Sequence, residues 1–199
     1  MCKSLNVAVN KCINYRFIHL DRLNYKMRKH VDKQLNELLT AGVITEDDGS
    51  AFASPIFMVK KRSGDWRFSV DMRHLNKICL PLFHELPVFE NVLDVIIRNK
   101  AKIITTMDLR QAYHQISLTE ESSHKTTFIT HHRGAYRYLR LPQGYAQSPY
   151  FMQVALNKLF RDQIGTYLFI SMTSSVLATH PLNTLNICKQ YLRSLEKRI

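Results

Sequence analysis

The chain has 199 residues, 45% of them hydrophobic, with glycine and proline at 6 each; it can bury a core, and a collagen-like or low-complexity polymer is excluded. No run of about 18 apolar residues occurs, so no membrane span is expected, and residues 1–20 interleave charge and apolar groups too finely for a secretory signal. The net charge of +12 suggests a polyanionic partner, of which nucleic acid is the commonest, with a merely soluble basic protein as the alternative.

That charge is uneven. From Ser122 onward the acids are Asp162 and Glu196 alone, against ten lysines and arginines. Cys2, Cys12, Cys79 and Cys188 lie far apart with no CxxC pair, which predicts reduced thiols and no zinc site. With no export signal, an intracellular protein, cytoplasmic or nuclear, is the expectation.

In chain order, residues 1–20 show weak periodicity and read as an irregular leader. Over 21–41, Leu23, Met27, Val31, Leu35, Leu38 and Leu39 recur at helical spacing, and Gly42 follows as a C-terminal cap. The stretch IFMVKKRSGDWRFSVDMRHLN reads as a hairpin with a basic tip at Arg62-Ser63-Gly64-Asp65 and alternation through Trp66, Phe68 and Val70. Pro81 and Pro87 bracket an extended linker. A helix fits 88–99, with Phe89, Val92, Leu93, Ile96 and Ile97 on its buried side. KIITTMDLRQAYHQISL begins as a strand, turns at 109–113 and resumes as a strand. HKTTFITHHRGAYRYLRLP pairs two strands around Arg133-Gly134. SPYFMQVALNKLFRDQI is a helix with Ser148 as N-cap and Pro149 first. FISMTSSVLAT is a further hairpin, and a last helix covers 183–197. Two independent domains are not indicated. The order predicts an α+β fold with a mainly antiparallel sheet packed on helices.

Asp108 closes the apolar run Ile103–Met107. A carboxylate at the exposed end of such a strand can reach a metal, or can simply cap the turn it begins. The neighbouring motifs decide between these. GVI at 42–44, SPIFMVKKRSGDWRFSVDMRHLNK at 54–77, MDLRQAYHQI at 107–116, KTTF at 125–128 and LPQGYAQSPYFMQ at 141–153 stand in one order. In that order they resemble the fingers and palm of reverse transcriptases from long-terminal-repeat retrotransposons and retroviruses.

The resemblance implies RNA-directed DNA polymerisation by residues 21–199 on a template–primer with deoxynucleotides and Mg²⁺, without membrane attachment. Such nucleotidyl transfer uses two divalent ions about 3.5–4 Å apart, and hard cations require clustered oxygen ligands. Asp108 matches the first metal-binding aspartate of the family. Tyr113 matches the bulky side chain that excludes a 2′ hydroxyl. Lys61 and Arg67 match the grip on the triphosphate, a task the planar guanidinium fork suits; Lys60 and Arg62 flank Lys61 closely enough to compete with it. Gln143 matches a position lining the nucleotide pocket, Phe in many retrotransposon relatives. Asp71, Arg73 and Asn76 read as braces, Trp66 and Tyr136, Tyr138, Tyr145 and Tyr150 as packing, and His131-His132 as a polar hairpin tip.

At the late hairpin the family carries an aromatic, a variable residue and two aspartates. Here those positions are Met172-Thr173-Ser174-Ser175. Two carboxylates are replaced by neutral alcohols, and neither Asp162 nor Glu196 sits where it could substitute. The resemblance also implies a thumb and an RNase H domain, for which the sequence up to Ile199 leaves no room. The expectation is an impaired or inactive, truncated copy of an RNA-directed DNA polymerase, a pseudoenzyme. The alternatives left open are a non-catalytic nucleic-acid-binding module and a decayed element without function.

Overall fold

The computed structural model describes residues 23–47, 50, 52–60, 62–80, 94, 97–98, 105–159, 169–170 and 175–178, with the backbone alone at 105–108, 159, 169–170 and 175–178. The expected leader at 1–20, the proline-bracketed linker at 81–87 and the last helix at 183–197 lie outside these residues. The chain divides into two compact units: Met1–Leu82 with Tyr113–Ser148, and Phe83–Ala112 with Pro149–Ile199.

The first unit opens with helix α1, Tyr25–Thr40, whose N-cap Asn24 accepts from the Met27 amide at 2.9 Å. Val31 and Leu35 are fully buried on its inner stripe. The helix ends as its sequence predicts. Gly42 takes φ +61°, and the amides of Gly42 and Val43 return to the carbonyls of Leu39 and Leu38 at 3.0 and 2.9 Å. That 6→1 and 5→2 pair satisfies the last orphan carbonyls.

Five strands follow in one sheet: β1 (Ile44–Glu46), β2 (Ser54–Lys60), β3 (Trp66–Val70), β5 (Phe128–Thr130) and β6 (Gly134–Tyr138), ordered β1-β6-β5-β2-β3. The pairs β1–β6, β5–β6 and β2–β3 are antiparallel, and β2–β5 is parallel, with Ser54 opposite Phe128. The sheet is therefore mixed, its antiparallel majority broken once. The β2–β3 hairpin has the expected register, Lys60 opposite Trp66, and Gly64 at φ +90° makes its turn. Phe128 lies at the centre of the buried face with no exposed surface. Its ring meets those of Phe68, Tyr136 and Tyr138 at 5.5, 5.9 and 5.3 Å between centroids. Tyr136, Tyr138 and Tyr145 are buried, as packing residues should be.

Helix α2 (Arg73–Ile78) follows β3. Just before it, Asp71 accepts from the Arg73 amide and guanidinium, the closest contact being 2.6 Å. The guanidinium bond outweighs burial and holds the Asp71 carboxyl below its ordinary value. A carboxylate so lowered stabilises the fold at pH above its unfolded value of 3.8 and loses that contribution as pH falls through the native value. Asp71→Asn is therefore expected to unfold at lower denaturant than the native chain at pH 7, with the gap closing below about pH 4. A gap unchanged down to pH 2 contradicts the assignment.

Three expectations are corrected here. The strand predicted after Tyr113 is instead a 3₁₀ turn, Ala112–Gln115, followed by an isolated bridge between Ser117 and Arg140. Helix α3 (Glu120–Lys125) was not expected; Thr119 caps it by accepting from the Ser122 amide, and Glu120 and Glu121 suit the positive end of its dipole. Ser148, expected as N-cap, is instead the first residue of its helix, and its hydroxyl donates to the Pro142 carbonyl at 2.8 Å. The tip His131-His132 forms a polar contact with α1, His132 Nε2 lying 2.7 Å from Asp32 and Arg133 donating to Asn36 at 2.7 Å.

The second unit holds a three-stranded antiparallel sheet, β4 (Thr105–Asp108), β7 (Phe169–Ile170) and β8 (Ser175–Ala178), in the order β4-β8-β7. It also holds helix α4 (Ser148–Leu159) from Pro149 onward. Of the helix predicted at 88–99, residues 94, 97 and 98 are described and helical. Ile97, expected on the buried side, is 70% exposed. Its neighbour Arg98 lies 4.0 Å from Asp94, one turn back, which marks this as the solvent face.

Candidate active site

Within the second unit, the position of Asp108 is set by strand register. β4 ends on Asp108, and β8 begins on Ser175; the antiparallel ladder makes these two residues direct partners, followed by Met107 with Val176 and Thr106 with Leu177. Opposed positions in such a pair carry Cβ atoms about 4.5–5.5 Å apart. β7 then pairs Ile170 with Val176, so FISMTSSVLAT is the hairpin its sequence predicts. Ser174 and the tip 171–174 lie outside the described residues.

Arg67, Tyr113 and Gln143 belong to the first unit. Arg67 sits on β3 opposite Val59, exposed, and its Nη2 donates to Gln143 Oε1. Two residues 76 positions apart, each expected at the nucleotide, are thus hydrogen-bonded to one another. Lys61, expected beside them, lies outside the described residues. Tyr113 stands in the 3₁₀ turn, part-buried, and burial pushes its phenol above its ordinary value.

Gln143 owes its position to a tightly braced loop. Asn76 donates to the Gly144 carbonyl at 2.9 Å and accepts from the Ala146 amide at 2.8 Å. The Leu141 amide reaches the Ile116 carbonyl at 2.9 Å. Gly144 takes φ +89° and a Cβ there would stand 3.8 Å from the Val70 carbonyl oxygen; the strain of a side chain comes from the backbone angle rather than from crowding. Asn76 therefore braces this loop.

Two residues were missed by the sequence reading. Gln34 of α1 donates to the Trp66 carbonyl at 3.0 Å and accepts from the Phe68 amide at 3.1 Å. One side-chain amide thereby bonds the backbone on both sides of Arg67 and covers the free edge of β3. Its signal was a glutamine set between the buried Val31 and Leu35. The second is His114, beside Tyr113. Its ring lies 6.4 Å from that of Tyr138, and its Nδ1 is buried without a partner among the described residues. Burial first, then the charge of Arg67, pulls the imidazole below its ordinary value, so it is neutral at pH 7. Nothing local in AYHQ announces either property.

Comparison with known proteins decides the family. Residues 59–180 match the family described as reverse transcriptase (RNA-dependent DNA polymerase). The chain belongs to the reverse transcriptase family. It is 30% identical, over 79% of its length, to the Retrovirus-related Pol polyprotein from transposon 297 of Drosophila melanogaster, covering 15% of that protein. It is 31% identical, again over 79%, to the corresponding polyprotein from transposon opus of the same fly, covering 16% of it. The chain thus spans about one sixth of the length of these curated relatives. Among solved structures, the foamy viral protease-reverse transcriptase in complex with RNA/DNA hybrid overlays with a TM-score of 0.79 at 22% identity, over 96% of this chain and 25% of that one. The same viral enzyme in complex with ds DNA gives 0.75 at 22% identity, over 98% of this chain and 33% of that one.

Reverse transcriptases generally depend on divalent metal ions. The described residues do not fit such a centre. A pair of Mg²⁺ ions needs several anionic oxygens held together, and the position opposite Asp108 is a neutral serine.

Proposed function

We infer that this chain is the fingers and palm of a retrotransposon reverse transcriptase domain that retains nucleotide- and template-binding surfaces but does not polymerise. The observation that carries this reading is the register of Asp108 against Ser175. It supports the assignment of MTSS to the place of the family's paired aspartates, and so argues against a misplaced hairpin. One aspartate is then left where the family holds a cluster.

Two missing carboxylates remove charge from a site whose role is to hold cations against the phosphates. Electrostatic groups at such centres each contribute several kcal/mol, and about 1.4 kcal/mol is a factor of ten in rate. No step of phosphoryl transfer follows from the residues that remain. What remains can bind. Arg67 presents a guanidinium beside Gln143 on a braced loop, suited to phosphate oxygens, and Tyr113 matches the sugar-excluding residue by its motif alone. The solved relatives were captured with ds DNA and with an RNA/DNA hybrid, and the +12 charge is consistent with a template–primer for this chain as well. Mn²⁺ titration followed by electron paramagnetic resonance, with template–primer and nucleotide present, tests the reading. The expected result is no saturable pair of ions per chain; two ions bound with micromolar affinity contradict it.

A further inference from the structure

Helix α1 carries its charge in the order that helix stability disfavours. Lys26, Arg28 and Lys29 lie in its first turns, with no acid in the first turn and no base in the last. The positive end of the helix dipole repels cations there. The acid that follows them, Asp32, is already held by His132 at 2.7 Å and Arg133 at 4.0 Å. It therefore contributes little to neutralising the lysines.

The outer face is exposed throughout: Tyr25, Lys26, Arg28, Lys29 and Lys33. Tyr25 is 71% exposed, and the Lys29 ammonium lies 5.0 Å from its ring centroid. Tyr25, Lys29 and Lys33 recur every four residues, so they form one line about 12 Å long. An aromatic ring and a row of cations on one helix face is the combination that binds a nucleic-acid strand, phosphates on the ammoniums and a base on the ring.

We propose that this outer face of α1 is a binding track for single-stranded nucleic acid, with Lys26, Lys29 and Lys33 meeting phosphates and Tyr25 stacking a base. The inference rests on the reading of this chain as nucleic-acid-binding, and adds residues other than Arg67, Gln143 and Asp108. A single strand is the occupant because a duplex keeps its base faces stacked away from Tyr25. A lipid surface fits poorly: the apolar side of α1, Val31 and Leu35, is fully buried, which leaves no apolar face to insert.

The test is fluorescence anisotropy of labelled oligouridylate across a salt series, with the native chain, Lys26→Ala/Lys29→Ala/Lys33→Ala and Tyr25→Ala. Each phosphate neutralised on a single strand contributes about 0.7 to the slope of log affinity against log salt. The triple variant is expected to lose about 2 from that slope and at least tenfold in affinity at about 0.1 M salt. Tyr25→Ala is expected to lose about fivefold or more with the slope unchanged. Misfolding is separated by Lys26→Glu/Lys29→Glu, which places acids where the dipole favours them: its Tm should hold or rise while binding falls. If the chain binds template–primer and the triple variant binds oligouridylate as well as the native chain, this inference fails and the nucleic-acid reading stands. If the native chain binds neither, both fail. Loss of binding to an acidic peptide or anionic vesicles in the triple variant, with oligouridylate unaffected, also overturns it.

Discussion

The double substitution Ser174→Asp/Ser175→Asp is expected to bring incorporation of deoxynucleotides up from background by at least about a thousandfold. The reasoning is electrostatic. Asp108 pairs across the ladder with Ser175, so an aspartate there adds a second carboxylate next to the first, and one at 174 adds a third. Removing a single preorganised electrostatic group from an active site costs about 10²–10³ in rate, and two are restored here. The gain should vanish when Asp108→Asn is added, because the rebuilt cluster again lacks a member. It should also be accompanied by Mn²⁺ binding that the native chain lacks. A double variant that binds the ions yet extends nothing shows that the lost acids are not what limits this chain. One that binds no ions shows that the hairpin is not the metal site.

The second large effect is on stability. Phe128→Ala should lower Tm by about 6–20 °C. Phe128 is fully buried between the rings of Phe68, Tyr136 and Tyr138, on a strand paired to β2 on one side and β6 on the other. Deleting such a ring leaves a cavity that close-packed aromatics fill poorly, costing about 3–5 kcal/mol, a large part of the stability of an ordinary domain. For a chain of this size each kcal/mol moves Tm by about 2–4 °C. Phe57→Ala is the control: on the neighbouring strand but 38% exposed, it should cost under about 1 kcal/mol. A Phe128→Ala drop no greater than the control contradicts the placement of the core.

How much of this was legible in the sequence depended on the range of the interaction. The β2–β3 hairpin and the end of α1 are local, and alternation in WRFSV and the glycine after LLTA announced them. Helix α3 escaped because TEESSHK is short and polar; its cap and acidic first turn are local signals, but it has no apolar period to draw attention. Ile97 was placed inside by spacing alone, and spacing cannot say which side of a helix meets a neighbour. The parallel pairing of β2 with β5 joins Ser54 to Phe128 and leaves no mark on either segment. At the candidate site, family motifs suggested Arg67 and Gln143 separately. Their hydrogen bond, and the clamp that Gln34 puts on the strand between Trp66 and Phe68, are products of tertiary packing. The proposed loss of the paired acids rests on four letters, MTSS. The register that sets Ser175 against Asp108 was not legible in them.

The most direct measurement is primer extension by the unmodified chain on an RNA template, with Mg²⁺ and separately with Mn²⁺, beside an Asp108→Asn control. A site reduced to one aspartate should give no product above that control, at any chain concentration that saturates the template. Primers lengthened by the unmodified chain and not by the control would show that Asp108 finds partners elsewhere, and that the chain is a working polymerase.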